Sequence, residues 1–499
     1  MSSSGYLADK FLSSIKIGRY EFKKFFALSF IMFCMLFNYT ILRDIKDVLI
    51  NTLPGTNTEL VPYIKGIFIV VFALMITILY MKLSSVFDSK VLFYWIIGGF
   101  LTFFTLFAFV LYPFRDVVHP SEDFIANLVS FVPSMRMIFL MFKVWSYILF
   151  YVMAELWGGT VLSLLFWQFS NDIVTSEQAK RYYPLFGIVS NFALILSGQV
   201  IKVVSDPSND LDFDIVLKYL CLALLFFGVM SMLCHRYIVL KIIPDKELCP
   251  TTKHVKNKVK ISLKDGLKEV FQSPYIALIG LMVFAYGMSI NIIEIIWKKQ
   301  LAIRFDGNKQ MYAYFMGSVS QNTGIFVVCS TLVAQKILSK FKWFTGAVIT
   351  PAVMFITGSL FIVFLLLSNN EAFDNYFMDT VGYTALAFAT YVGAVQNIFG
   401  KGSKYILFDP TKEMAYIPLD PDLRARGKAA VDVVGGRLGK AGGSYLWIIL
   451  LSIFSGNIIS CVPYAVVVFT IVSLSWIFGV KKLSTMYERK LAEKAKSAE

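Results

Sequence analysis

Charge is scarce in this chain. Only 16% of its 499 residues are Asp, Glu, Lys or Arg, where soluble domains carry about 25%. Histidine occurs three times, at 119, 235 and 254, and never in a cluster, so no metal centre is evident. The six cysteines, at 34, 221, 234, 249, 329 and 461, are scattered without a CxxC pair. That spacing argues against a disulfide framework or a zinc site, and no cofactor is expected. No cleavable leader is expected. Residues 1–24 are polar and basic, and the long apolar run after them has no small-residue cleavage site. It reads as a retained first helix.

What fills the chain is apolar. Hydrophobic residues make up 57% and the mean hydropathy is +0.66. The 47 Phe and 25 Tyr suit helices that are apolar all round and face lipid. The net charge of +14 could suggest nucleic acid, but such binders gather Lys and Arg on one face of a soluble module. Here the cations sit in loops, so they report membrane topology and no nucleic-acid partner is expected. HPSED at 119–123 bears a faint likeness to the His/Asp pair of membrane acyltransferases; its spacing is one residue short, and it reads as a loop.

A helix needs about 20 mostly apolar residues to cross a bilayer. Such runs fall near 25–45, 62–82, 91–112, 137–169, 184–203, 215–237, 275–297, 313–337, 344–367, 379–400, 430–454 and 461–480. The fold expected is therefore an all-α polytopic membrane protein of about twelve transmembrane helices. The fourth run is too long for one upright span and is expected to project from the membrane. Lys and Arg gather before the first run, in alternate loops and after the last, while SDPSNDLDFD (205–214) and SNNEAFDNYFMD (368–379) are acidic. By the positive-inside rule, both termini are expected in the cytoplasm.

The longest basic loop divides the chain. The expected order is a tail at 1–24, a six-helix half at 25–237, a basic linker at 238–274, a second six-helix half at 275–482, and a tail at 483–499. A weak internal echo supports two halves: AKRYYPLFGIVSNFALILSGQ (179–199) aligns with ARGKAAVDVVGGRLGKAGGS (425–444), placing Ser197 and Gly198 on Gly442 and Gly443. Two such halves are the layout of the major facilitator fold, with substrate bound between them near the midplane.

Ionisable groups within the spans are costly, about 2.5–3.5 kcal/mol on insertion scales, and mark substrate paths. Arg43, Asp44, Lys46 and Asp47 close the first span; Lys143 and Glu155 lie in the fourth. Glu294, Lys298 and Lys299 end the seventh, Lys401 and Lys404 the tenth, and Asp432, Arg437 and Lys440 lie in the eleventh. Arg43 and Lys46 are i,i+3, as are Arg437 and Lys440, so each pair can share a face. Lys143 and Glu155 are twelve apart and need partners elsewhere. Cations from both halves suit an anionic solute, with Glu155 and Glu294 neutralising them when it is absent. The candidate substrate-binding residues are thus Lys46, Glu155, Glu294, Lys440, Arg43, Arg437, Lys143 and Lys298; none is expected to be catalytic.

VVGGRLGKAGG (433–443) has the look of a phosphate loop but lacks its chemistry. That loop is G-x-x-x-x-G-K-[ST] between a strand and a helix. Gly435 to Gly439 is one residue short, and Ala441 has no hydroxyl. Gly435, Gly439 and Gly443 recur every four residues, the spacing for close helix packing in lipid.

LRDIKDVL (42–49), AELWGGTVLSLLFWQFSND (154–172), AYGMSINIIEIIWKKQ (285–300), GKGSKYILFDPTKEMAYIPLD (400–420) and GGRLGKAGG (435–443) resemble the ATP/ADP translocases of obligate intracellular bacteria and plastids. The resemblance runs from about residue 20 to 482. It implies import of host ATP in exchange for ADP, a bacterial inner-membrane location, and a monomeric working unit. It carries transport roles to Lys46, Glu155, Glu294 and Lys440, with Lys46 and Lys440 on the phosphates and Arg43 and Arg437 assisting. Two departures bear on the substrate: Ala441 stands where Ser is expected, and SVSQNTGIFVV (318–328) is divergent. A proton-coupled or exchange carrier for GTP/GDP, CTP, UTP or NAD stays open, and a polytopic membrane transferase is the distant alternative.

Overall fold

A computed structural model of the chain describes residues 17–18, 20–245, 248–249, 272–368, 370–420, 423–424, 427–428, 431, 436–454 and 456–496. Among the described residues twelve main helices follow one another: α1 (Phe22–Thr52), α2 (Leu60–Val86), α3 (Lys90–Leu111), α4 (Trp145–Ile173), α5 (Ser176–Val204), α6 (Phe213–Ile242), α7 (Pro274–Phe305), α8 (Lys309–Lys340), α9 (Trp343–Leu367), α10 (Ala385–Ser403), α11 (Gly436–Ile453) and α12 (Ile458–Lys496). Ten stretches, all of these but α10 and α11, are long and apolar enough to cross a membrane. No strand occurs among the described residues.

Local chemistry sets the helix ends. α1 runs without Gly or Pro and stops at Leu53, which is extended at φ −84°, ψ 149°. Pro54 disfavours helical backbone in the residue before it, and Gly55 then turns the chain at φ +76°. α5 opens on a capping box, with Thr175 and Gln178 each bonding the other's backbone.

The run at 137–169 is not one continuous helix. It breaks at Val144 (φ −116°, ψ 34°) into Arg136–Lys143 and α4. The shorter piece packs against a preceding helix, Glu122–Phe131. Before α10, Glu371–Val381 is likewise a helix of its own, ended by Gly382 at φ +79°.

The chain forms two compact units. The first takes the described residues of Met1–Thr56, Phe68–Lys256 and Asn308–Ile325; the second takes those of Asn57–Ile67, Asn257–Gly307 and Phe326–Glu499. Each is organised around its first long helix. In the first unit α1 packs against α4, α5 and α6, and the buried Trp157 indole donates to the Met35 carbonyl at 3.0 Å. In the second, α7 packs against α10, α11 and α12, and the buried Trp297 indole donates to the Thr390 carbonyl at 3.0 Å.

The glycines of α11 permit its contact with α7. A Cβ at Gly439 would lie 2.7 Å from the Phe284 carbonyl oxygen, and one at Gly443 would lie 2.9 Å from Asn291 Cβ. Gly435 lies outside the described residues.

Candidate functional site

The charged end of α1 builds a buried cluster in the first unit. The Lys46 side chain is 2% exposed, and its Nζ lies 3.1 Å from Asp47 Oδ1 and 3.0 Å from Glu155 Oε1 on α4. Tyr151 precedes Glu155 by one helical turn, so ring and carboxylate share a face. Its ring centroid is 3.9 Å from the same ammonium, a cation–π contact. One cation is thus gripped from two helices.

Arg43 engages a different carboxylate. Its Nε lies 3.1 Å from Asp44 Oδ1, and its Nη2 donates to Ser320 Oγ at 2.8 Å. Ser320 Oγ donates in turn to Asp44 Oδ2 at 2.5 Å. Ser320 lies on α8, and its hydroxyl closes a ring of three groups.

In the second unit the cluster forms around Glu294 on α7. Its Oε1 lies 3.2 Å from Lys298 Nζ, one turn on, and 3.1 Å from Lys401 Nζ on α10; its Oε2 lies 3.9 Å from Lys65 Nζ on α2. Lys299, next in sequence to Lys298, takes another partner. Its Nζ lies 2.8 Å from Glu59 Oε1, and that oxygen also accepts the Ile458 backbone N–H at the start of α12, at 3.4 Å.

The remaining candidates separate from these clusters. Lys143 pairs at 2.5 Å with Glu122, whose side chain is 84% exposed, so it joins neither. Arg437 and Lys440 fall in the first turns of α11, and their side chains lie outside the described residues. Asp432 lies outside them altogether.

Four participants escaped the sequence reading. Lys65 lies near the start of the apolar run 62–82, where a cation is ordinary. Glu59 sits in a polar turn, Ser320 in a helix rich in small polar residues, and Tyr151 among many aromatics. Nothing in their local sequence separates them from their neighbours.

Comparison with known proteins matches this architecture. The sequence model of the TLC ATP/ADP transporter family covers residues 7–487. The ADP,ATP carrier protein 1 of Chlamydia muridarum is 37% identical, over 97% of this chain and 93% of its own. That of Rickettsia prowazekii is 38% identical, over 97% of each. The chloroplastic ADP,ATP carrier protein 1 of Arabidopsis thaliana is 38% identical, over 93% of this chain and 74% of its own. Among solved structures, a mutant form of the nucleoside transporter NupG superposes with a TM-score of 0.54 at 13% identity, over 93% of this chain and 99% of that one. A D-xylose–proton symporter gives 0.51 at 12% identity, over 90% and 97%. These two carry the fold alone, a major-facilitator-like bundle. The match over nearly its whole length places this multi-pass membrane protein in the TLC ATP/ADP transporter family, a family of carriers and not of enzymes.

Proposed function

We propose that this chain exchanges ATP for ADP by alternating access across a bacterial inner membrane, importing host ATP, with both termini cytoplasmic and the monomer as working unit. One observation carries the reading: Lys46, 2% exposed within a membrane span, is held by Glu155 of another helix. A buried ion pair is a poor device for stability alone, because desolvating both charges offsets most of their attraction. It is a good device for a carrier that must hold a cation until an anion arrives.

The chemistry is partner exchange. Without nucleotide, Asp47 and Glu155 hold Lys46, and Glu294 holds Lys298. A phosphate oxygen accepts the same charge-assisted hydrogen bonds from the ammonium groups, releasing the carboxylates. Lys46 contacts the phosphates in this scheme, Arg43 assists from its ring with Asp44 and Ser320, and Lys440 and Arg437 supply cations from α11. In this scheme the carboxylate pairs hold the empty carrier in place until a phosphate releases them, which makes the return step depend on a second nucleotide.

Competition against labelled ATP tests the substrate. Reconstituted protein should have its uptake inhibited by unlabelled ATP and ADP more strongly than by GTP, CTP, UTP or NAD. Ala441, where the family resemblance leads one to expect Ser, is the residue that favours another base. Stronger inhibition by one of those nucleotides would replace ATP/ADP as the substrate.

A further inference from the structure

The cluster around Glu294 has a geometry that the release of Lys298 alone does not use. Ammonium groups from three helices, Lys65 of α2, Lys298 of α7 and Lys401 of α10, converge on the two oxygens of one carboxylate, at 3.9, 3.2 and 3.1 Å. Convergence of that kind defines a position for an anion. A carboxylate and a terminal phosphate both present several oxygens to such donors, but the phosphate carries more charge and accepts in more directions.

We infer that Lys65, Lys298 and Lys401 form the subsite for the distal phosphates of the nucleotide, with Glu294 holding the anion position until the phosphate chain takes it. Three observations support it. The side chains of Lys65, Lys401 and Glu294 keep 16%, 18% and 15% of their surface accessible, so an incoming anion can reach them.

Lys65 also stands in a wide π-helical turn, Ile64–Phe68, a feature found frequently at functional sites. That turn is pinned from α11. The Tyr445 hydroxyl donates to the Gly66 carbonyl at 2.9 Å, and a Cβ at Gly66 would lie 3.2 Å from Ile448 Cδ1. The backbone that carries Lys65 is thus fixed from α11.

Third, the grouping is selective. Lys299 is adjacent in sequence to Lys298 yet is bound to Glu59 at 2.8 Å. A merely structural network joining α2, α7 and α10 would hold the helices together without preferring one anion to another, whereas a phosphate subsite must discriminate by phosphate-chain length.

The subsite belongs to the nucleotide carrier proposed above, so its test uses a probe with no base. The purified full-length chain in detergent is titrated with sodium phosphate, pyrophosphate and tripolyphosphate while its melting temperature is followed. Stabilisation should rise in that order. Lys65→Gln and Lys401→Gln should each weaken the tripolyphosphate midpoint about 10- to 100-fold, the worth of one hydrogen bond to a charged group. Lys65→Arg, which keeps the charge, should titrate closer to wild type than Lys65→Gln. Wild-type protein that tripolyphosphate does not stabilise overturns the subsite, as do both Gln variants titrating like wild type. If the chain transports no ATP, the proposed function fails, and the tripolyphosphate titration still decides the subsite.

Discussion

Lys46 Nζ lies 3.0 Å from Glu155 Oε1, joining the charged end of α1 to the middle of α4 at a point where the lysine is nearly sealed from solvent. Asp47 and the ring of Tyr151 complete its surroundings. A cation so placed can be surrendered only to another anion, and the exchange reading depends on that property.

Removing either partner should expose the tension. Lys46→Ala leaves two carboxylates without their shared cation, and breaking a buried pair from one side costs about 3–5 kcal/mol. The melting temperature in detergent should fall and ATP uptake should be lost. Lys46→Ala combined with Glu155→Ala should recover part of the melting temperature but none of the transport. A double variant no more stable than Lys46→Ala would show that the pair is not coupled.

The glycines of α11 should differ sharply from one another. Gly439→Ala sets a methyl group 2.7 Å from the Phe284 carbonyl oxygen, an atom that cannot turn aside. Overpacking of this kind costs about 1–3 kcal/mol. At Gly442 the nearest atom is the Phe284 ring at 3.5 Å, an ordinary contact, so Gly442→Ala should melt close to wild type. Equal melting temperatures for the two variants would contradict the packing described.

Lys143→Ala should leave exchange nearly unaffected. Its partner Glu122 is exposed on the short helix Glu122–Phe131, and exposed ion pairs contribute little. A large loss of ATP uptake would return Lys143 to the transport path.

His119 should impose a pH dependence on stability from outside the spans. Burial lowers its pKa from the ordinary 6.5, opposed by Asp116 and reinforced by Arg115 and Lys143. Its Nε2 shares a hydrogen bond with Ser146 Oγ at 2.7 Å. The unfolded chain therefore binds the proton more readily than the folded one. The contribution is complete above pH 6.5 and is lost as the pH falls from there through the lowered folded pKa. Melting curves of wild type and His119→Gln across that range should converge at the acid end; parallel curves would remove His119 as the source.

Much of this arrangement was legible in the chain. Lys46, Glu155 and Glu294 stood out because each is an ionisable residue in a long apolar run, where burial is expensive. Their partners were less visible. Whether Lys46 turns to Glu155 or to another carboxylate depends on how α1 and α4 pack, which no local pattern records. The break at Val144 was hidden because both sides of it are apolar, so the run reads as continuous. Glu59 is a polar residue in a turn until α7 brings Lys299 against it.

The exchange claim is tested most directly by following labelled ATP into liposomes that carry the reconstituted chain. Half are loaded with ADP and half contain buffer alone. The account predicts rapid uptake into the ADP-loaded vesicles, matched by loss of internal ADP, and almost none into the empty ones. Equal uptake into both would contradict obligatory exchange.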